Sequence, residues 1–276
     1  MAPTPFDVPL AEATFVVFDL ETTGLDVTKG ARVVEVGALK LCRGDVVDHF
    51  LTLVDPEVPV PAGATAVHGL TDADLAGQPK LAEVFPRFVA FAADAALVAH
   101  NLPFDMSFVV AAAAELGLPK LRNASVDLLG LARNCYPGLA GYKLETLAQT
   151  FNVTNPAPHR ALGDAAVESQ LLLAFSAAAR ERFGAETVSD LALVSRGIPT
   201  EEGLDAGTVV ELEWAAAAGE AVAIIYRGGK GESSRSITPY AIKTRGGRCC
   251  VAAYCHASGA KREFRLERLR LAADED

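Results

Sequence analysis

FVVFDLETTGL, residues 15–25, reads as a buried strand that ends in acids. Phe15 to Phe18 are strand formers, and Thr22-Thr23-Gly24 closes the run. A strand points alternate side chains to opposite faces, so Asp19 and Glu21 project from the same face, side by side. Two carboxylates held that close repel unless a cation sits between them. Alone, a D-x-E pair reads first as a pair of solvated charges at a strand end, and the metal reading depends on further acids converging there.

Two stretches downstream supply such acids. A short buried strand over 95–99 runs into His100-Asn-Leu-Pro103-Phe104-Asp105, where Pro103 suits the first turn of a helix. Asp164 opens a long helix over 164–183, and His159 lies five residues earlier on a loop. Asp19, Glu21, Asp105 and Asp164 would form an oxygen cage suited to Mg²⁺ or Mn²⁺ rather than zinc. Two such ions, about 3.5–4 Å apart, activate a water and stabilise the leaving oxygen of a phosphodiester. An imidazole near them is a base suited to neutral pH.

Three stretches carry a family resemblance: Asp19-Leu-Glu21-Thr-Thr-Gly24, Ala99-His-Asn-Leu-Pro-Phe-Asp105 and His159-Arg-Ala-Leu-Gly-Asp164-Ala165. They resemble the motifs of the DEDDh 3′→5′ exonucleases, most closely the proofreading epsilon-subunit (DnaQ-like) type, over residues 13–178. Val67-His68-Gly-Leu-Thr71 is similar to that family too. The resemblance implies an α/β fold of ribonuclease H-like type, a mixed sheet flanked by helices. It implies a phosphodiester hydrolase in which Asp19, Glu21, Asp105 and Asp164 hold two Mg²⁺ (or Mn²⁺) and His159 is the base. The implied product is a nucleoside 5′-monophosphate, released from single-stranded or frayed DNA 3′ ends. Thr22, Thr23, Leu25, His68 and Phe104 are implied contacts to the terminal nucleotide. RNA or oligoribonucleotide hydrolysis, and non-catalytic binding of nucleic-acid ends, stay open as alternatives.

The chain has 276 residues, half of them hydrophobic, enough for one large unit or two smaller ones. No apolar run approaches the ~20 residues that span a bilayer, and no secretory signal is visible. Five cysteines with no C-x-x-C pair suggest reduced thiols and a cytoplasmic protein. The net charge of −10 is unevenly spread: −15 over residues 1–220 and +5 over residues 221–276. Such asymmetry fits two units with different partners, or simply a small unit with a basic solvated face.

Strand-like runs over 32–41 and 46–54 flank a hairpin turn at Arg43-Gly44-Asp45. The proline-rich 55–63 reads as an extended loop, followed by a short capped helix from Thr71. Helices are predicted over 81–93 (started or kinked at Pro86), 106–117, 128–134 with Asp127 as cap, and 144–151. Residues 184–205 read as a linker, with room for a short helix. A helix over 208–218 and strand-like runs over 221–226, 236–243, 249–256 and 261–271 follow, with turns that include Gly246-Gly247. The predicted organisation is a nuclease unit over 10–183, a linker over 184–205 and a second unit over 206–273.

That second unit, a small mainly-β barrel, resembles a WYL domain, carried by AVAIIY (221–226), RSITP (235–239), GRCCVAAYCH (247–256) and REFRLER (262–268). It departs where Cys249-Cys250-Val251 replaces the name-giving triplet. The resemblance implies an SH3-like barrel that binds or senses nucleic acid, with Arg235, Arg248, Arg262, Arg265 and Arg268 as candidate phosphate contacts or plain surface arginines. Cys249 and Cys250 point to opposite faces of one strand and suit a core better than a metal. Deleting 206–276 is expected to weaken binding and spare turnover on short oligonucleotides. The basic unit favours a stand-alone repair or turnover enzyme over a polymerase-bound subunit. Glu35 reads as a partly exposed strand residue rather than a fifth acid, His49 has no visible partner, and Gln170–Phe175 reads as core rather than a sliding-clamp peptide.

Overall fold

The computed structural model describes residues 7–198, 200, 206–229, 231–245 and 248–272, with the side chains of 244, 245 and 248 left out. The Gly246-Gly247 turn, the Arg248 side chain, residues 201–205 of the predicted linker and the acidic 274–276 lie outside the described residues.

Strand β1 (Thr14–Thr22) pairs antiparallel with β2 (Val33–Cys42), and β2 with β3 (Asp45–Leu53). The β2–β3 turn takes positive φ at Arg43 and Gly44, as a tight two-residue hairpin requires. On its other side β1 pairs parallel with β4 (Ala96–Ala99), and β4 with β5 (Ser125–Asp127). The result is a five-stranded mixed sheet of order β3-β2-β1-β4-β5.

Alternation along β1 sorts the core. Phe15 and Val17 enter one apolar cluster, with helices α5 (Leu128–Cys135) and α7 (Ala161–Phe183). Val16, Phe18 and Leu20 enter the other, with α3 (Leu81–Ala92) and α4 (Leu102–Glu115). Asp19 and Glu21 continue the odd series and so face α7. Helix α3 runs through Pro86 rather than starting there. Helix α7 begins at Ala161, three residues before Asp164.

Several expectations change. The proline-rich stretch 55–63 reads as loop throughout, but it turns into α1 (Ala62–His68), followed by the expected capped helix α2 (Asp72–Leu75). After α6 (Leu144–Thr150) and α7, the short helix for which the predicted linker left room is α8 (Val188–Ser195). Leu191, Leu193, Val194 and Ile198 are buried in the same cluster as α5 and α7. A polar, capped start disguises α8: Thr187 and Asp190 form its capping box.

Helix α9 (Ala206–Ala218) leads into β6 (Val222–Gly228), β7 (Gly231–Arg245), β8 (Arg248–Cys255), β9 (Ala260–Arg265) and β10 (Leu269–Leu271). These strands form an antiparallel sheet of order β10-β6-β7-β8-β9. The last predicted strand is split by a 3₁₀ turn over Leu266–Arg268. Cys249 and Cys255 are buried core residues, and the cysteines form no disulfide.

Gly37 fixes where α7 starts. It pairs with Asp19, so it faces α7 too, and a Cβ there would lie 2.2 Å from the Leu162 amide nitrogen. Only a glycine lets the first turn of α7 press onto the sheet beside Asp19. Gly37→Ala is expected to lower the unfolding free energy by about 1–3 kcal/mol, through overpacking against backbone. Urea denaturation measures it, and an unchanged midpoint would mean that the turn moves freely.

Candidate active site

Parallel pairing of β1 with β4 brings the ends of both strands together, and α4 starts directly after β4. Asp105 thereby sits in the first turn of α4 beside the end of β1. Asn101 makes the strand-to-helix turn with φ +62°, a conformation asparagine tolerates. Asp127 caps α5 and also accepts the Leu102 amide at 3.1 Å, which ties the start of α4 to β5.

Carboxylate oxygens of Asp19, Glu21 and Asp164 lie within 4.8 Å of one another. Asp105 is buried beside them, and its Oδ1 has no hydrogen-bond partner. Burial pushes the Asp19 carboxyl well above the usual range, and the charges of Asp105, Glu21 and Asp164 push it further. Burial likewise raises Asp105, although the Asp105 and Leu20 amides oppose it. Burial, then repulsion from Asp164 and Glu35, lifts Glu21 to about 7. Asp164 is raised by burial and held back by Asn155, whose Nδ2 donates to its Oδ1 at 2.5 Å. Acids that crowd together, resist ionisation and leave a buried oxygen unpartnered fit a hard divalent cation, which would discharge all of them at once.

His159 stands half exposed, its Nε2 3.0 Å from Glu145 Oε1. Its backbone is left-handed, with φ +56°. Gly163 lets the preceding loop lie on α7, since a Cβ there would meet the Ala157 carbonyl oxygen at 2.1 Å.

The other predicted residues are distributed around this point. Thr22 and Thr23 are buried. Thr22 Oγ1 donates to the Gly24 carbonyl at 2.8 Å, and Thr23 Oγ1 accepts the Arg32 amide at 2.9 Å, so both are committed to the turn. Leu25 is 86% exposed, the most exposed large apolar side chain among the described residues. His68 is buried, with Nδ1 accepting the Leu70 amide at 3.0 Å and Nε2 unpartnered. Phe104 is half-buried and stacks edge-on against Phe108, with centroids 5.2 Å apart.

In the second unit, Arg235 Nε donates to Ser233 Oγ and Arg262 Nε to Ser258 Oγ, both at 3.2 Å. Arg265 and Arg268 share Glu267 as ion-pair partner. Arg262 and Arg265, three apart on β9, leave the sheet on opposite faces.

Two acids differ from their sequence reading or escape it. Glu35, expected as partly exposed, is 1% exposed and paired with Arg160, a partner 125 positions away. Glu168 is fully buried with both oxygens unpartnered, and burial followed by the charges of Asp19 and Asp105 pushes its pKa well up. Its spacing of four from Asp164 on one helix is the available signal. Phe175 is core, as expected for the Gln170–Phe175 run.

An exonuclease family profile matches residues 16–172, and a WYL domain profile matches residues 207–273. DNA polymerase III PolC-type of Halalkalibacterium halodurans is 38% identical over 175 residues, which is 63% of this chain and 12% of that protein. The corresponding protein of Clostridium perfringens is 39% identical over 158 residues, 57% of this chain and 11% of that one. The chain thus spans about an eighth of these relatives' length. Among solved structures, Exonuclease X in complex with 5′ overhanging duplex DNA is 26% identical, with a TM-score of 0.50 over 66% of this chain and 99% of that one. E. coli Exonuclease I in complex with a dT13 oligonucleotide has a TM-score of 0.59 at 14% identity, over 87% of this chain and 55% of that one, and shares the fold. The match covers more than half of the chain and contains every acid of the cluster: this chain belongs to the exonuclease family and carries a WYL domain after its nuclease fold.

Proposed function

We propose that the protein is a divalent-metal-dependent 3′→5′ exonuclease that releases nucleoside 5′-monophosphates from single-stranded or frayed DNA 3′ ends. The observation that carries this is the meeting of Asp19, Glu21 and Asp164 at one point, with buried Asp105 behind them. These four carboxylates are the residues that would hold two Mg²⁺ or Mn²⁺. Bound there, the ions supply an activated water and charge stabilisation for the phosphodiester. His159 takes the proton from the attacking water at its imidazole, and Glu145 orients the ring. Thr22 and Thr23 shape the turn under the terminal nucleotide. Leu25, exposed at its tip, wedges against the last base, with His68 and Phe104 as further walls.

DNA is favoured over RNA because the matched relatives are DNA polymerases by name and Exonuclease X, at 26% identity, is solved on duplex DNA, although a 3′-exonuclease that recognises a histone mRNA stem-loop shares the fold at 15% identity. In the second unit, the strand order and the 3₁₀ turn before β10 support an SH3-like barrel. Its arginines 235, 248, 262, 265 and 268 act as phosphate contacts, and the +5 balance of residues 221–276 draws the polyanion toward an acidic nuclease unit.

The test is a digest of 3′- and 5′-labelled single-stranded DNA, duplex DNA and RNA with Mg²⁺, Mn²⁺ or EDTA. The 3′ label should leave first as a mononucleotide, the 5′-labelled strand should shorten stepwise, and EDTA should stop both. His159→Ala should lose about 10²–10⁴ in rate. Release of the 5′ label first would overturn the polarity, and faster digestion of RNA would overturn the DNA assignment.

A further inference from the structure

We infer that Glu35 and Arg160 are positioning residues for this reaction: together they clamp the loop carrying His159 onto β2, so that the imidazole is held at the rim of the acid cluster. The inference rests on the proposed role of His159 as base.

Glu35 and Glu21 are direct cross-strand partners, so both side chains leave the sheet on the α7 side. Glu35 is 1% exposed, and a buried carboxylate beside another acid needs strong compensation. Arg160 supplies it. Its Nε donates to Oε1 at 3.2 Å and to Oε2 at 3.1 Å, and its Nη2 donates to Oε1 at 2.5 Å. The Ala161 amide, the first of α7, donates to Oε2 at 2.9 Å. One carboxylate therefore anchors both the residue after His159 and the start of the helix carrying Asp164.

The geometry at His159 requires such an anchor. Its φ of +56° is a left-handed conformation that a histidine rarely adopts, so the loop would relax if released. The contact with Glu145 joins two half-exposed groups and is too weak to hold the backbone. Gly37 adds the last condition, since it clears space for Ala161 and Leu162 two residues along β2 from Glu35. A lysine at 160 would keep the charge and lose the forked contact to both oxygens.

The experiment measures kcat, KM and melting temperature, with Mg²⁺ and a short single-stranded DNA, for Arg160→Ala, Arg160→Lys, Glu35→Gln, His159→Ala and the Arg160→Ala/His159→Ala pair. Arg160→Ala and Glu35→Gln should lower kcat by about 10–100-fold with KM within about twofold. Arg160→Lys should recover part of the Arg160→Ala loss. The double variant should be no slower than His159→Ala, because a clamp has nothing left to position. The clamp is overturned if the two losses multiply in the double variant, or if Arg160→Ala and Glu35→Gln keep wild-type kcat while His159→Ala does not. If Arg160→Ala does not fold, the near-isosteric Glu35→Gln decides by the same kcat criterion. Wild-type kcat in His159→Ala would instead remove the base assignment, and the clamp with it.

Discussion

Asp19→Asn is expected to have no detectable nuclease activity and, in EDTA, to melt at a higher temperature than the wild-type chain. Both effects have one cause. Asp19, Glu21, Asp105 and Asp164 are crowded where burial opposes ionisation, with Glu168 buried behind them. Each of these acids binds its proton more tightly in the folded chain than in the unfolded one. The stabilisation this gives is complete below the unfolded values of about 3.9–4.3 and is lost as pH rises through the folded values. For Glu21 that loss is centred at about 7. The metal-free wild type should therefore lose stability between about pH 5 and pH 8, and Asp19→Asn, with one charge fewer in the cluster, should lose less. The gap between the two melting curves should widen with pH. Adding Mg²⁺ should stabilise the wild type more than the variant, because ligand binding to the native state alone adds stability. In activity, removing a carboxylate proposed to hold the metal should reduce the rate by at least about a thousandfold. Circular dichroism melts in EDTA and in Mg²⁺, at both pH values, test the first part. An Asp19→Asn curve that coincides with wild type at the higher pH would mean that the cluster is not under electrostatic load.

The clustered acids are legible because their signal is local. Strand alternation sets the faces of Asp19 and Glu21, and a strand-to-helix turn with Pro103 sets Asp105. What stays hidden depends on packing between segments far apart along the chain. Glu35 looks like any polar residue in a strand until Arg160, in another motif, folds onto it. Glu168 looks like solvated helix surface, but α7 is buried on most sides, against the sheet, α5 and α6, so its amphipathic stripe is faint. Helix α1 is hidden among prolines, and β5 is only three residues long, below what periodicity resolves. Helix α8 is legible only as room for a short helix, and its burial is hidden for a related reason. Its polar cap residues dominate the local composition, and its burial comes from α5 and α9, which sequence spacing does not reveal.

That last point changes what a truncation should do. A chain ending at residue 205 is expected to fail to fold, whereas one ending at residue 220 is expected to fold and cleave short oligonucleotides. Helix α9 opens the second unit in sequence but is part of the nuclease core in space. Val209, Leu212 and Ala215 belong to the cluster of α5, α7 and α8, and Trp214 belongs to the cluster of α3 and α4 on the other side of the sheet. Burying each large apolar side chain is worth about 1.5–3 kcal/mol. Glu213 adds more. It takes the Arg196 guanidinium at 2.7 and 2.5 Å, while the same guanidinium donates to the Ser125 carbonyl at 2.8 Å and to Ser125 Oγ at 2.9 Å. The Arg196 side chain is buried but Glu213 is about a third exposed, and the guanidinium keeps its bonds to Ser125, so losing this charge-assisted pair costs about 1–3 kcal/mol. Lys120 is also deprived of Glu211 and Glu220. Together these effects rival the about 5–15 kcal/mol that holds a whole domain folded. Cutting after α9 keeps these interactions; it removes the β6–β10 sheet with its basic residues and uncovers the face of α9 that packs on β7. Binding of long single-stranded DNA should then weaken, and its dependence on salt should flatten. Each phosphate no longer neutralised by a protein cation takes about 0.7 off the slope of log K against log salt. Melting curves for both truncations, and salt titrations of the longer one, separate these effects. A 1–205 chain that melts like wild type would show that α9 is dispensable to the nuclease core. An unchanged salt slope in the 1–220 chain would show that the sheet beyond it does not grip the polymer.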